Sequence, residues 1–355
     1  MVRPSATYRE GEPIGSVVLG LVRGDPTNLA GSLASRSIPA ILSMTCNVMS
    51  LTGSSWDMPG VHRFEHAQLG VTDLEEATAF YTDVVGLVEI RDDGDCVYLG
   101  SGLDETFDIA IREGDTGIDH FAVRVADGDE LESYESRLDD AGVDVDRVDG
   151  DEPGQNAGLR FDLPSGTRME LATVDDRRYR HSNEVYGDGR DGAAPMGVDH
   201  ITLASHRVKD DATFLADHLD FSVSTAVTDD PDAEEWGGAF TRRGDYHHDV
   251  AFLPHPDPES TMHHISWEVK TVDHMKSFVD RINQHGVPLE FGIGRHYAGD
   301  NVFSYFQTPG GNRIELTAEM ATVDPSADTE YLSFERAISA WGPVRPPESF
   351  QEDVS

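Results

Sequence analysis

Four stretches of the chain begin alike: Phe64-Glu-His-Ala-Gln-Leu-Gly-Val71, Ile118-Asp-His-Phe-Ala-Val-Arg-Val125, Val198-Asp-His-Ile-Thr-Leu-Ala-Ser205 and Met262-His-His-Ile-Ser-Trp-Glu-Val269. Each sets a histidine at the head of an alternating, β-prone run, the pattern of a half-buried strand. A helical pattern follows every time, over 73–85, 129–141, 208–219 and 272–285. Gly86, Gly142 and Gly286 close three of these, where a left-handed helix stop is common. Further short strands come next, among them 96–99 with 107–112, 159–163 with 168–172, 239–242 with 249–254, and 302–307 with 312–317. Helices beside short, mostly antiparallel strands make the fold α+β. The expectation is four repeated βαβββ units paired into two barrel-like domains, 61–175 and 197–320. A linker at 176–196 joins them, a tail covers 321–355, and residues 1–60 form an N-terminal extension, disordered or mis-started, that lacks the regions of a targeting signal.

Composition sets bounds around that core. The 355 residues carry 66 Asp and Glu against 27 Lys and Arg, for a formal charge of −39. Lys209, Lys270 and Lys276 are the only lysines. A dense carboxylate coat with almost no lysine fits a halophilic, cytoplasmic protein, since hydrated acids preserve solubility when salt screens repulsion. The same charge excludes a basic nucleic-acid footprint and argues against anionic membranes. No apolar run reaches 18 residues, and Cys46 and Cys96 form neither a disulfide framework nor a thiolate metal knot.

Local geometry points to one site. Residues 301–317 read as a β-hairpin turning at Thr308-Pro-Gly-Gly-Asn312, which sets Tyr305 opposite Glu315. Glu315 lies between Ile314 and Leu316, so its own face must supply a cation or hydrogen bonds. His200 and His264 head strands that would point into the same cavity. Two imidazoles and a carboxylate on separate strands form a set that holds Fe(II) with positions left open, although buried histidines beside a salt-bridged glutamate would give the same sequence. Twelve of the 15 histidines lie at or beyond His181. A halophilic surface explains acid, but it does not explain clustered imidazole.

Those stretches, with His247-His-Asp-Val-Ala-Phe-Leu-Pro-His255, Gly294-Arg-His-Tyr-Ala-Gly-Asp300 and Val302-Phe-Ser-Tyr-Phe-Gln-Thr-Pro-Gly-Gly-Asn-Arg-Ile-Glu-Leu316, resemble the extradiol ring-cleavage dioxygenases of the vicinal oxygen chelate superfamily, of the catechol 2,3-dioxygenase type. The likeness spans 61–350. It implies metal ligands at His200, His264 and Glu315, and active-site groups at His248, His296 and Tyr305. His264 rather than His263 is in register with the other leading histidines. His247 and His248 precede one strand, and the Asp-Val-Ala-Phe that follows favours His248. The resemblance also implies Fe(II), or Mn(II) in its place, a catechol and O2 as substrates, and a homo-oligomer. Trp267, Phe291, Phe303 and Trp341 are pocket-wall candidates that core packing would explain better.

The first half repeats the ligand pattern at His66, His120 and Glu170 but sets Arg160 where the second has Tyr305 and Asp151 where it has His296. That pattern reads as a vestigial copy left by duplication. Two rival classes remain: a glyoxalase-like lyase or isomerase, which takes four protein ligands or a second glutamate and no oxygen, and a small-molecule binding module without an intact metal set.

Overall fold

The computed structural model describes residues 64–103, 106–174, 193–343, 345–352 and 354–355. The N-terminal extension, most of the linker and Cys46 lie outside them. Each leading stretch is a strand, and one order of elements follows it four times. The first run is β1 (Phe64–Val71), α1 (Leu74–Ala79), β2 (Val88–Asp92), β3 (Cys96–Gly100) and β4 (Ile109–Glu113). The second is β5 (Gly117–Arg124), α2 (Gly128–Asp140), β6 (Asp146–Val148), β7 (Gln155–Asp162) and β8 (Arg168–Val174). The third is β9 (Gly197–Ser205), α3 (Val208–His218), β10 (Ser222–Val227), β11 (Ala239–Arg242) and β12 (Val250–Pro254). The fourth is β13 (Met262–Glu268), α4 (Val272–Gln284), β14 (Phe291–Arg295), β15 (Val302–Gln307) and β16 (Arg313–Ala318). β17 (Glu330–Leu332), α5 (Phe334–Ile338) and α6 (Ser349–Glu352) form the tail.

Helix starts follow local chemistry. Asp73, Asp127 and Thr271 accept the amides of Glu76, Glu130 and His274 at 2.9, 3.0 and 3.1 Å, each satisfying an N–H the helix leaves open. The first helix departs from the expected single run: beyond Ala79 it widens into a π-type turn, Phe80–Val85, that buries Phe80, Tyr81, Val84 and Val85. Gly86, Gly142 and Gly286 take φ of 85, 76 and 89°. In the third run, whose helix has no glycine at its end, Asp220 takes this role at φ 58°. Its carboxylate then receives the Tyr134 hydroxyl at 3.1 Å and Arg137 at 2.9 Å.

Two sheets result. The first runs β2-β3-β4-β1-β5-β8-β7-β6, the second β14-β15-β16-β13-β9-β12-β11-β10-β17. In both, the two leading strands lie side by side and antiparallel at the centre, so their histidines meet. Alternation divides the faces. Ile201 and Leu203, with Ile314, Leu316 and Phe306, enter the core that the helices cover; His200, Thr202, Tyr305 and Glu315 turn the other way.

The described residues fall in one compact unit, Ser55–Ser355. Each half plants a hairpin turn in the other. Ser165 donates its amide to Asp211 at 2.9 Å. Asn312 accepts the Gly117 amide at 3.0 Å, a buried bond, and donates to the half-buried Gly70 carbonyl at 2.7 Å. Asn312→Ala strands both backbone groups, so stability should fall by roughly 2–4 kcal/mol and the melting temperature with it. An unchanged thermal transition would mean that this contact does not hold the halves together.

Candidate functional site

His200 on β9, His264 on β13 and Glu315 on β16 come from three adjacent strands. Their register sets Ile265 beside both Ile201 and Ile314. His200 Nε2 and His264 Nε2 lie 3.1 and 3.0 Å from Glu315 Oε2, and 3.4 Å from one another. All three side chains are buried.

The outward atoms of these residues are already committed. Asp199 Oδ2 holds the His200 Nδ1–H at 2.7 Å. His263 Nε2–H donates to the Phe350 carbonyl at 3.1 Å, so its Nδ1 accepts the His264 Nδ1–H at 2.6 Å. Asn301 Nδ2 donates to Glu315 Oε1 at 3.1 Å and to Thr317 at 2.8 Å. Each of the three therefore turns a lone pair towards one point, with its orientation fixed from behind. Three such acceptors cannot share that point unless a proton or a cation sits among them. The donor set fits a divalent metal.

Without a metal, the proton belongs to His200. Burial opposes its charge, but the hydrogen bonds to Asp199 and Glu315 raise its pKa to about 9. Burial lowers His264 to about 4 despite the same glutamate. Burial would push Glu315 up, but the two imidazoles hold it well below the carboxylate range. A metal must displace the His200 proton, so affinity should rise about tenfold per pH unit from about pH 6 to about pH 9 and then level off. Competition titrations with a chelator measure this; a flat profile would place the proton elsewhere.

Three further groups share the cavity. Ile338, in the tail, accepts the His296 Nδ1–H at 2.5 Å, so His296 Nε2 receives the Tyr305 hydroxyl at 2.9 Å. Tyr305 pairs with Glu315 across the ladder, and burial followed by that carboxylate keeps its pKa well above the ordinary phenol value. His296 stacks on Phe303 at 3.9 Å. His248 sits just before β12, its ring 4.2 Å from that of His200. Burial first, then the neighbouring imidazoles, keep its pKa well below 6.5. His247 turns aside, to Thr225 at 2.9 Å.

The six residues named from sequence line one cavity of about 480 Å³. Sequence reasoning missed Asn301 and Asp199; the tail, 331–350, reads in sequence as a candidate cover for the site or an interface, and Phe334, Ile338 and Phe350 from it line the cavity. An acidic residue precedes three of the four leading histidines (Glu65, Asp119, Asp199), and that signal could have found Asp199. Arg313, buried, bonds Glu290 at 2.8 and 3.0 Å and the Ser349 carbonyl at 2.9 Å, fixing Phe350 over Tyr305. Of the aromatic wall candidates, Trp267 enters the core, Phe291 lines the cavity, Phe303 backs His296 and Trp341 is exposed.

The first half gathers His66, His120, Glu170 and a residue the sequence did not flag, Glu152. His66 lies 3.1 Å from Glu152, and His120 lies 3.4 and 3.5 Å from Glu152 and Glu170. Arg160 pairs with Glu170 in the register Tyr305 has with Glu315. Its guanidinium reaches Glu170 at 2.5 Å, Glu152 at 3.3 Å and His120 Nε2 at 3.2 Å.

Residues 197–316 match the family described as Glyoxalase/Bleomycin resistance protein/Dioxygenase superfamily, and residues 118–174 match the Catechol 2,3-dioxygenase-like N-terminal domain. The chain is 29% identical over 268 residues to a metapyrocatechase of Pseudomonas sp. (strain CF600), covering 72% of this chain and 86% of that one. It is 26% identical over 274 residues to a manganese-dependent 2,3-dihydroxybiphenyl 1,2-dioxygenase of Geobacillus genomosp. 3, covering 72% and 84%. Among solved structures it resembles the 2,3-dioxygenase LapB from Pseudomonas sp. KL28, with TM-score 0.71, 28% identity and coverage of 78% and 99%. It also resembles the Mn(II)-bound glyoxalase from Novosphingobium aromaticivorans, with TM-score 0.69, 27% identity and coverage of 84% and 95%. With two histidines and a glutamate converging in the half that carries the superfamily match, the chain is a homologue of the extradiol dioxygenases within the glyoxalase/bleomycin resistance protein/dioxygenase superfamily.

Proposed function

We propose that the protein is an extradiol dioxygenase that opens a catechol ring beside its two hydroxyls, giving a 2-hydroxymuconic semialdehyde-type product. Both atoms of O2 enter that product, so no external reductant is needed. The observation that carries this reading is the convergence of His200, His264 and Glu315 within 3.4 Å, in a cavity whose wall holds His248, His296 and Tyr305. Bound there, Fe(II), or Mn(II) in its place, would acidify a catechol hydroxyl and offer adjacent positions to substrate and oxygen.

The chain's own groups handle orientation and protons. With Nδ1–H held by Ile338, His296 presents Nε2 as an acceptor, and Tyr305 supplies a neutral hydroxyl beside it. Together they can fix the substrate oxygens and take a hydroxyl proton. His248, kept neutral by burial, can hold a proton beside His200 and return it as the ring opens. Phe291 and Phe350 exclude water from the ring. Adding catechol and air to Fe(II)-loaded protein in high salt should yield the yellow semialdehyde, and His200→Ala should yield none. An iron-loaded protein inactive on every catechol would sink the reading.

Likeness to a Mn(II)-bound glyoxalase structure keeps a metal-dependent lyase or isomerase as the second reading. Such an enzyme turns over without oxygen, so anaerobic activity on its substrate would favour it. The complete donor set weighs against a purely binding role.

In the first half, 61–175, we read Arg160 as the resident cation of a vestigial copy. Its guanidinium already neutralises Glu152 and Glu170 and occupies the side of His120 that a metal would need. Wild type should hold about one metal per chain and Arg160→Ala about two, as removing the guanidinium takes the cation away from His120, Glu152 and Glu170 and leaves them with His66 as a donor set. Two metals in wild type, or still one in the variant, would contradict this. The acidic coat fits a halophilic, cytoplasmic protein, and we propose a homo-oligomer.

A further inference from the structure

The cavity above the metal donors is much larger than one ring requires. A space of about 150 Å³ accepts benzene, whereas this cavity measures about 480 Å³. Most of its outer wall is apolar. Val227, Phe240 and Leu253 come from β10, β11 and β12, and Phe334, Ile338 and Phe350 from the tail. No lysine or arginine among the described residues lines it. Of the arginines next in sequence to lining residues, Arg295 is committed to Glu319, Arg336 donates to the Tyr297 hydroxyl and Arg345 is exposed to solvent; Arg313, two residues from Glu315, is committed to Glu290.

The titratable groups facing the cavity are Glu315, the five histidines at 200, 248, 263, 264 and 296, Tyr305, and His255 at the rim. His255 receives the Asp257 amide on Nδ1 at 3.3 Å, which commits that nitrogen as an acceptor. A carboxylate on the substrate would therefore enter an apolar wall without a cationic partner, on a protein of net charge −39. An unpaired buried charge is strongly disfavoured.

We propose that the site selects uncharged catechols carrying an apolar substituent, an alkyl chain or a second ring, and rejects catechols bearing a carboxylate. This rests on the catechol reading of the site above. The apolar wall receives the substituent, and the lack of a cation among the described lining residues does the rejecting.

Anaerobic calorimetric titration and steady-state turnover of the Fe(II)-loaded protein would test it, with catechol, 4-methylcatechol, 2,3-dihydroxybiphenyl and 3,4-dihydroxyphenylacetate as probes. The uncharged substituted catechols should bind at least as tightly as catechol. The carboxylate should bind on the order of 10²-fold more weakly and show a matching drop in kcat/KM. Phe334→Arg puts a cation at an exposed rim position and should narrow that gap about tenfold, while His255→Asn should leave it unchanged. Equal binding of the carboxylate overturns the proposal, as does a gap that Phe334→Arg does not move or that His255→Asn abolishes. If the apolar catechols bind selectively but none is cleaved, the dioxygenase reading fails and the selectivity stands.

Discussion

Glu315→Gln should empty the metal site. The substitution keeps the size of the side chain and an acceptor for Asn301, so the fold should survive. It removes the one charge in the donor set and the partner that both imidazoles face at 3.0 and 3.1 Å. Losing an outer partner of a ligand already costs about 10–100-fold in metal affinity, and losing the only anionic ligand should cost more. Metal analysis after dialysis should fall from about one atom per chain to near none, with ring cleavage lost in parallel and circular dichroism unchanged. Glu170→Gln, in the first half, is the control and should retain both metal and activity. Full metal content in Glu315→Gln would show that the carboxylate is structural.

His248→Asn should separate chemistry from assembly. His248 touches the ring of His200 but offers no donor to the point where the three ligands converge. Metal content and anaerobic catechol affinity should therefore stay near wild type. A general acid or base contributes about 10²–10⁴-fold, so turnover should drop by that much. If the metal is lost instead, His248 belongs to the ligand support, in the way His263 supports His264.

Local patterns made much of this legible from sequence. Four leading histidines announced four strand heads, and pairing placed those strands at the sheet centres. Glu315, between Ile314 and Leu316, was recognisable because a strand alternates its faces and a carboxylate on the inward one needs a partner. Tyr305 followed from counting outwards from a turn. The rest was invisible because it depends on residues far apart in the chain. Phe350 meets His263 across 87 positions. Asn312 reads locally as a turn residue, and nothing in the hairpin says that it bonds Gly70 and Gly117. Glu152 lies outside the repeat pattern and joins the first cluster only through folding. In the sequence Arg160 reads only as a residue standing where the second half has Tyr305; its pairing with Glu152 and Glu170 exists only in the fold.

Oxygen uptake measured against product formation tests the central claim most directly. Fe(II)-loaded protein given a limiting amount of an uncharged catechol should consume about one O2 per catechol, with the yellow semialdehyde rising in step and neither occurring in His200→Ala. Catechol disappearing without oxygen uptake, or oxygen consumed without ring opening, would contradict it.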